Sequence, residues 1–177
     1  MTAAQVPEAT PQTTVAVSDL AVWVAKGAST GEVASLRRMD PVRPPPLTLY
    51  KVAARFLPPG WDRDRDHVHD WMTVIAGVAI TAPDGHRPAT GLGRALARAG
   101  LSEANLERLL ASRDDTRRTL LLRVARFLSA KSEGCDWAEV AHFLLARTDQ
   151  AIERVNMRAA SGYYREVGVI EARQKKE

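Results

Sequence analysis

Asp62, Asp64, Asp66, His67, His69 and Asp70 form the one run in this chain whose residue types suit a metal ion. The spacing argues against it. His67 and His69 are two apart, so on a helix they diverge by about 200° and cannot chelate together as an i, i+4 pair does. The interleaved Arg63 and Arg65 offer the aspartates local partners, and the run reads as a solvated helix start whose acids suit the helix dipole. His86 and His142 have no neighbouring cysteine or carboxylate arranged to activate a nucleophile. Cys135 follows Gly134 near a helix start and reads as structural. Gly91-Leu92-Gly93 lacks the third glycine and the preceding strand of a dinucleotide site, and no Walker-type lysine follows it. No catalytic group, metal or cofactor is assigned.

The remaining chemistry is that of guanidinium groups. Between Gly91 and Lys131 nine basic residues face four acidic ones. A second basic window, Gly31 to Gly60, holds Arg37, Arg38, Arg43, Lys51 and Arg55 against Glu32 and Asp40. The net charge of +4 is therefore concentrated in two windows, which points to a polyanionic partner. At 100° per residue, Leu120, Leu121, Val124, Phe127 and Leu128 share one face of a helix, with Arg118, Arg123 and Arg126 placed on the other. Arg94 and Arg98, four apart, share a face in the same way.

The elements that must carry these arginines are helices throughout. Apolar spacing is helical nearly everywhere, so the chain is expected to be all-α, as two small helical bundles joined by a Pro/Gly loop. The expected division is a disordered tail over residues 1–14, an N-terminal bundle over 15–81, a linker over 82–91, a C-terminal bundle over 92–167 and a charged tail over 168–177. Helices are predicted over Val15 to Lys26, Gly31 to Met39, Leu47 to Leu57, a long element around Val68 to Val78, Leu92 to Ala99, Ser102 to Ser112, Thr116 to Lys131, Trp137 to Arg147 and Asp149 to Val167. Gly77 weakens its helix unless a close neighbour needs the space. Ser102 is the expected N-cap of its helix, and Asp136 with Glu139 resembles a capping box. Trp23, Trp61, Trp71 and Trp137 read as core. A single cysteine forms no internal disulfide, no secretory leader is visible, and no apolar run approaches the ~20 residues of a membrane span, so a cytoplasmic protein without membrane contact is expected.

Taken in order, several segments resemble a known family. These are Gly31-Glu32-Val33-Ala34-Ser35-Leu36-Arg37-Arg38, Leu49-Tyr50-Lys51, Gly60-Trp61, Leu92-Gly93-Arg94-Ala95-Leu96-Ala97, Glu107-Arg108-Leu109-Leu110, Asp136-Trp137 and Tyr163-Tyr164. Their order and spacing resemble the small, CasB-type subunit of the type I-E CRISPR Cascade complex, over about residues 17 to 165. The triple proline before Leu47 and the long N-terminal segment depart from that pattern. The resemblance implies a non-catalytic, all-helical protein of a crRNA-guided surveillance complex in antiviral defence. It would sit head to tail with a second copy beside the crRNA-containing subunits and stabilise the R-loop, both target strand and displaced strand. Arg37 and Arg38 match the family's Leu-Arg-Arg, Lys51 the basic residue after its aromatic, Arg94 its Gly-Arg-Ala arginine, and Arg123 the basic residue of its long C-terminal helix. Arg98, Arg118 and Arg126 join them from helix geometry alone.

Two other readings stay open on the sequence. A helical DNA-binding regulator could use Ser102 to Lys131 as a helix-turn-helix and would bind a specific site as a symmetric dimer. A helical adaptor without nucleic acid would direct its arginines at acidic protein surfaces instead.

Overall fold

The computed structural model describes residues 11–176, and every regular element among them is an α-helix. In chain order these are α1 (Pro11–Lys26), α2 (Thr30–Arg37), α3 (Leu47–Phe56), α4 (Arg65–Thr81), α5 (Leu92–Ala99), α6 (Glu103–Ala111), α7 (Asp114–Ala130), α8 (Trp137–Leu145) and α9 (Asp149–Gln174). Local chemistry sets most of their ends. Ser29 and Glu32 form a reciprocal capping box at the start of α2, and Asp64 accepts from the His67 N–H at 2.7 Å at the start of α4. Pro46 delivers the chain into α3, and Gly100, at φ 80°, closes α5 in the left-handed conformation.

Three local expectations change. Residues 11–14 belong to α1, since Pro11 suits a first helical position and Thr13 is buried; residues 1–10 of the expected tail lie outside the described residues. At the other end α9 runs on past Val167 to Gln174. Half-buried Val167 and Ile170 continue the stripe that Tyr163 begins, and Arg173 suits the last turn. Asp136 does cap α8 by accepting from the Ala138 N–H at 2.9 Å, yet Glu139 does not reach back to complete a box. It accepts instead from the Leu92 N–H at 3.3 Å and so caps α5.

α4 is the centre of the molecule. From His69 to Ala79 every residue is buried, which a helix shows only when neighbours surround it. It lies against α7 and α8 as well as against α1 and α2. The Pro/Gly segment 82–91 lies between α4 and α5, and the helices on its two sides share one core that runs from Val17 and Leu20 through Trp71 and Ile75 to Trp137 and Phe143. Gly77 explains part of that closeness: a Cβ there would overlap the Trp137 indole, so the glycine is the space the ring occupies. The indole N–H donates to Thr81 Oγ1 at 3.0 Å. α5 is set as tightly on α9, because a Cβ on Gly93 would overlap the Ala159 carbonyl.

The break itself is tied down. Arg87 N–H donates to the Cys135 carbonyl, Cys135 N–H to the Gly85 carbonyl, and Asp136 N–H to the Thr90 carbonyl, at 2.7–2.9 Å. Residues 82–91 thus run against the turn between α7 and α8.

Candidate nucleic-acid interface

On α7, angle alone divides the arginines between surface and interior. Arg123 and Arg126 are exposed on one ridge with Thr119, and neither enters an ion pair among the described residues. Arg118 goes the other way. It stands three and four residues before Leu121 and Leu122, on the buried stripe, and its side chain is 2% exposed. Its guanidinium donates to Asp70 Oδ1 at 2.7 Å, to Asp115 Oδ1 at 2.7 Å and to Asp66 Oδ1 at 3.1 Å. Burial opposes its charge, and the hydrogen bonds and charges of Asp70, Asp115 and Asp66 outweigh that, holding it above the ordinary arginine value. The expectation that Arg118 faces nucleic acid is therefore corrected: it is an internal cross-link.

Asp70 is corrected with it. Expected on a solvated helix start, it is 2% exposed and takes both Arg118 and Arg147. Burial pushes its carboxyl up, and the two guanidinia counter that rise. Next to it Arg117, which sequence reasoning passed over, is also buried. It has no carboxylate partner and spends its donors on the carbonyls of Ser112, Phe143 and Leu110 and on Asn156 Oδ1, at 3.0–3.2 Å, with its guanidinium 4.2 Å from the Phe143 ring centre. Burial and the nearby Arg113 lower it to about 10, so it stays charged at neutral pH.

The α5 pair meets a carboxylate that spacing could not reveal. Arg98 Nε lies 2.7 Å from Glu166 Oε1 and Arg94 Nε 3.4 Å from Glu166 Oε2, the acid being 8% exposed on α9. Two half-exposed guanidinia share one negative charge, which leaves one positive charge facing outward. On α2 and α3 the positions differ among themselves. Arg37 Nε donates to the Ala79 carbonyl at 2.8 Å, satisfying a free carbonyl at the end of α4. Lys51 Nζ sits 3.0 Å from Glu32 Oε1, whose acid is drawn down to about 2 by the Ser29 N–H and by Lys51. Arg38 is exposed without an ion pair among the described residues.

Arg38, Arg123 and Arg126 thus carry uncommitted charge, and Arg94 with Arg98 a shared surplus. The planar N–H fork of an exposed guanidinium can pair with two oxygens of a phosphate. α9 adds Arg154, Arg158 and Arg165, all exposed and spaced four and seven apart on one stripe, a signal present in the sequence but not used above.

Among the described residues, the cysteine and His86 are structural. Cys135 is buried, and burial, with Asp136 and Glu139 nearby, pushes its thiol well up. His86 is a strut: its Nδ1 accepts from the Trp137 N–H at 3.2 Å, so its Nε2–H is the donor to Ser18 Oγ at 3.3 Å. Among the described residues no three His, Cys, Asp or Glu converge to hold a metal, and no helix is long and apolar enough to cross a membrane.

No curated protein matches this chain. Among solved structures, a chain from the crystal structure of E. coli Cascade bound to a PAM-containing dsDNA target is similar, with a TM-score of 0.58 and 18% identity, over 84% of this chain and 96% of that one. That likeness shows a shared fold. The family described as CRISPR-associated protein Cse2 matches residues 32–164, from the glutamate of the α2 capping box to the second tyrosine of α9. A match that takes in all of α3 to α8 and most of the arginines placed above settles the family: this chain belongs to the Cse2 family of CRISPR-associated proteins.

Proposed function

We propose that this chain is the non-catalytic small subunit of a crRNA-guided Cascade surveillance complex of type I-E, where it binds nucleic-acid backbone without sequence specificity and stabilises the R-loop. The observation that carries this reading is the α7 ridge, where Arg123 and Arg126 stand exposed and, among the described residues, without carboxylate partners, in a chain of the Cse2 family. The likeness in fold to a chain of a DNA-bound Cascade supports the setting. R-loop formation exchanges one duplex for another of similar stability, so a few phosphate contacts are enough to tip it. Arg38, Arg94 and Arg98 are the further contact positions, with Arg37 and Lys51 at their edge. The other crRNA-containing subunits, a second copy placed head to tail, the target strand and the displaced strand are the partners of this reading.

The helix-turn-helix alternative loses ground on a specific point. A recognition helix reads bases with its N-terminal residues, and in α7 these include Arg117 and Arg118, both buried. The test is target-DNA affinity of reconstituted complexes over a salt series. Replacing Arg123 and Arg126 by alanine should weaken binding equally for unrelated targets and lower the salt slope by nearly one unit per lost contact. An assembled double variant with unchanged affinity and slope refutes the reading and favours a protein adaptor.

A further inference from the structure

Beside the N-terminal half of α4 a cavity of about 350 Å³ opens between the proline loop and α3. Its walls are Tyr50, Val68, Val42 and the ring carbons of Pro44 and Pro45, and its polar lining is His69 and Arg65. Tyr50 is 49% exposed, held by a single aromatic contact, edge-on to Trp61 with ring centres 6.2 Å apart. His69 is only 4% exposed, and its ring makes no hydrogen bond among the described residues; the Thr73 hydroxyl donates to its carbonyl instead. An imidazole that lines an open cavity without a protein partner is a hydrogen-bonding group free to meet a ligand. Arg65 is exposed and enters no ion pair among the described residues.

We propose that this cavity receives one unpaired nucleobase of a single-stranded nucleic acid. The base stacks on Tyr50, as bases stack on exposed aromatics in single-strand binders. Its polar edge meets the ring nitrogens of His69, and its phosphate meets Arg65. Bases of a duplex are stacked and paired and cannot enter. An apolar peptide side chain would fill the walls but leave His69 and Arg65 unanswered. The proposal rests on the backbone-binding reading above and deepens it: the α7 ridge holds phosphate in either kind of strand, and the cavity favours the opened one.

The test measures binding of three fluorescein-labelled probes: a single strand, the same strand annealed to its complement, and an abasic strand of equal length. They are titrated with the full chain and with the complex reconstituted from it. Tyr50→Ala should weaken single-strand binding about tenfold and leave duplex binding unchanged. Its effect should disappear on the abasic probe, and Tyr50→Phe should bind as wild type. Arg65→Ala, at an exposed position, should show a smaller loss on both single-stranded probes. His69→Gln, which keeps a donor and an acceptor, should bind better than His69→Leu, with circular dichroism melting showing that each variant is folded. Equal single-strand affinity for Tyr50→Ala and wild type, while the α7 double variant still loses binding, overturns the cavity and leaves the backbone reading standing. Absence of all nucleic-acid binding by wild type, alone and assembled, overturns both. A Tyr50→Ala chain that keeps the single strand but drops out of the complex also overturns the proposal, in favour of a peptide occupant.

Discussion

Arg118 and Arg123 are five residues apart on α7 and behave as different kinds of residue. Arg118→Ala leaves Asp70 buried beside a lost partner, and breaking a pair of this type is expected to destabilise the fold by about 3–5 kcal/mol. Arg123→Ala, on the open ridge, should change stability by less than about 0.5 kcal/mol. Urea denaturation of the two variants checks the contrast, and equal midpoints would mean that Arg118 is not internal. The inward position of Arg118 was readable, because Leu121, Leu122 and Ala125 follow it at helical spacing. Its partner was not, since Asp70 lies on another helix, as Glu166 does for Arg94 and Arg98. The histidines make a second residue-level prediction. Burial, with Arg63 and Arg147 adding to it, holds His67 near 4, and burial lowers His86 and His142 from their ordinary 6.5. Each is held toward its neutral form in the fold, so its contribution is full above about pH 6.5 and falls below it, for His67 until about pH 4. Asp70 and Glu139, raised by burial, oppose that loss. The melting temperature should fall across this window, and His67→Gln should flatten the fall.

Helix type and order were legible in the sequence because each element carries a full apolar stripe between strong stop signals such as Gly27, Pro58 and Gly100. The family read from the ordered motifs is the family that matches. What spacing could not supply was which neighbour each helix end would find. Glu139 has the right spacing for a box with Asp136 and is drawn instead to the free N–H groups of α5, because Gly91 leaves that helix start without a side-chain cap. The glycines of α2 and α5 make the same distinction testable. Gly93→Ala pushes a methyl group into the α9 backbone and should destabilise by about 1–3 kcal/mol. Gly31→Ala, within α2 and with open space around it, should stabilise by about 0.4–1 kcal/mol through the unfolded chain. Thermal melts of the two variants moving in the same direction would contradict the close α5–α9 seam.

At the scale of the molecule, α1 lies outside the segment that the family match covers, yet it sends Val17, Leu20 and Val24 into the shared core and, through Ser18, meets the His86 strut. Deleting residues 1–27 is expected to leave a chain that is proteolysed rapidly, and a trypsin-resistant core of unchanged melting temperature would show α1 to be dispensable. The encirclement of α4 also has a consequence for how the protein is made. Translation delivers α4 when Thr81 has been added, whereas α7 and α8, which cover much of its surface, are complete only at Ala130 and Leu145. At ribosomal speeds of about 5–20 residues per second, this central helix waits roughly 3–13 seconds for its covering. During that interval the nascent protein presents Trp71, Val74, Ile75 and Val78 to the cell, which makes it a client for chaperones early in synthesis and links its yield to how quickly the ribosome finishes the second half.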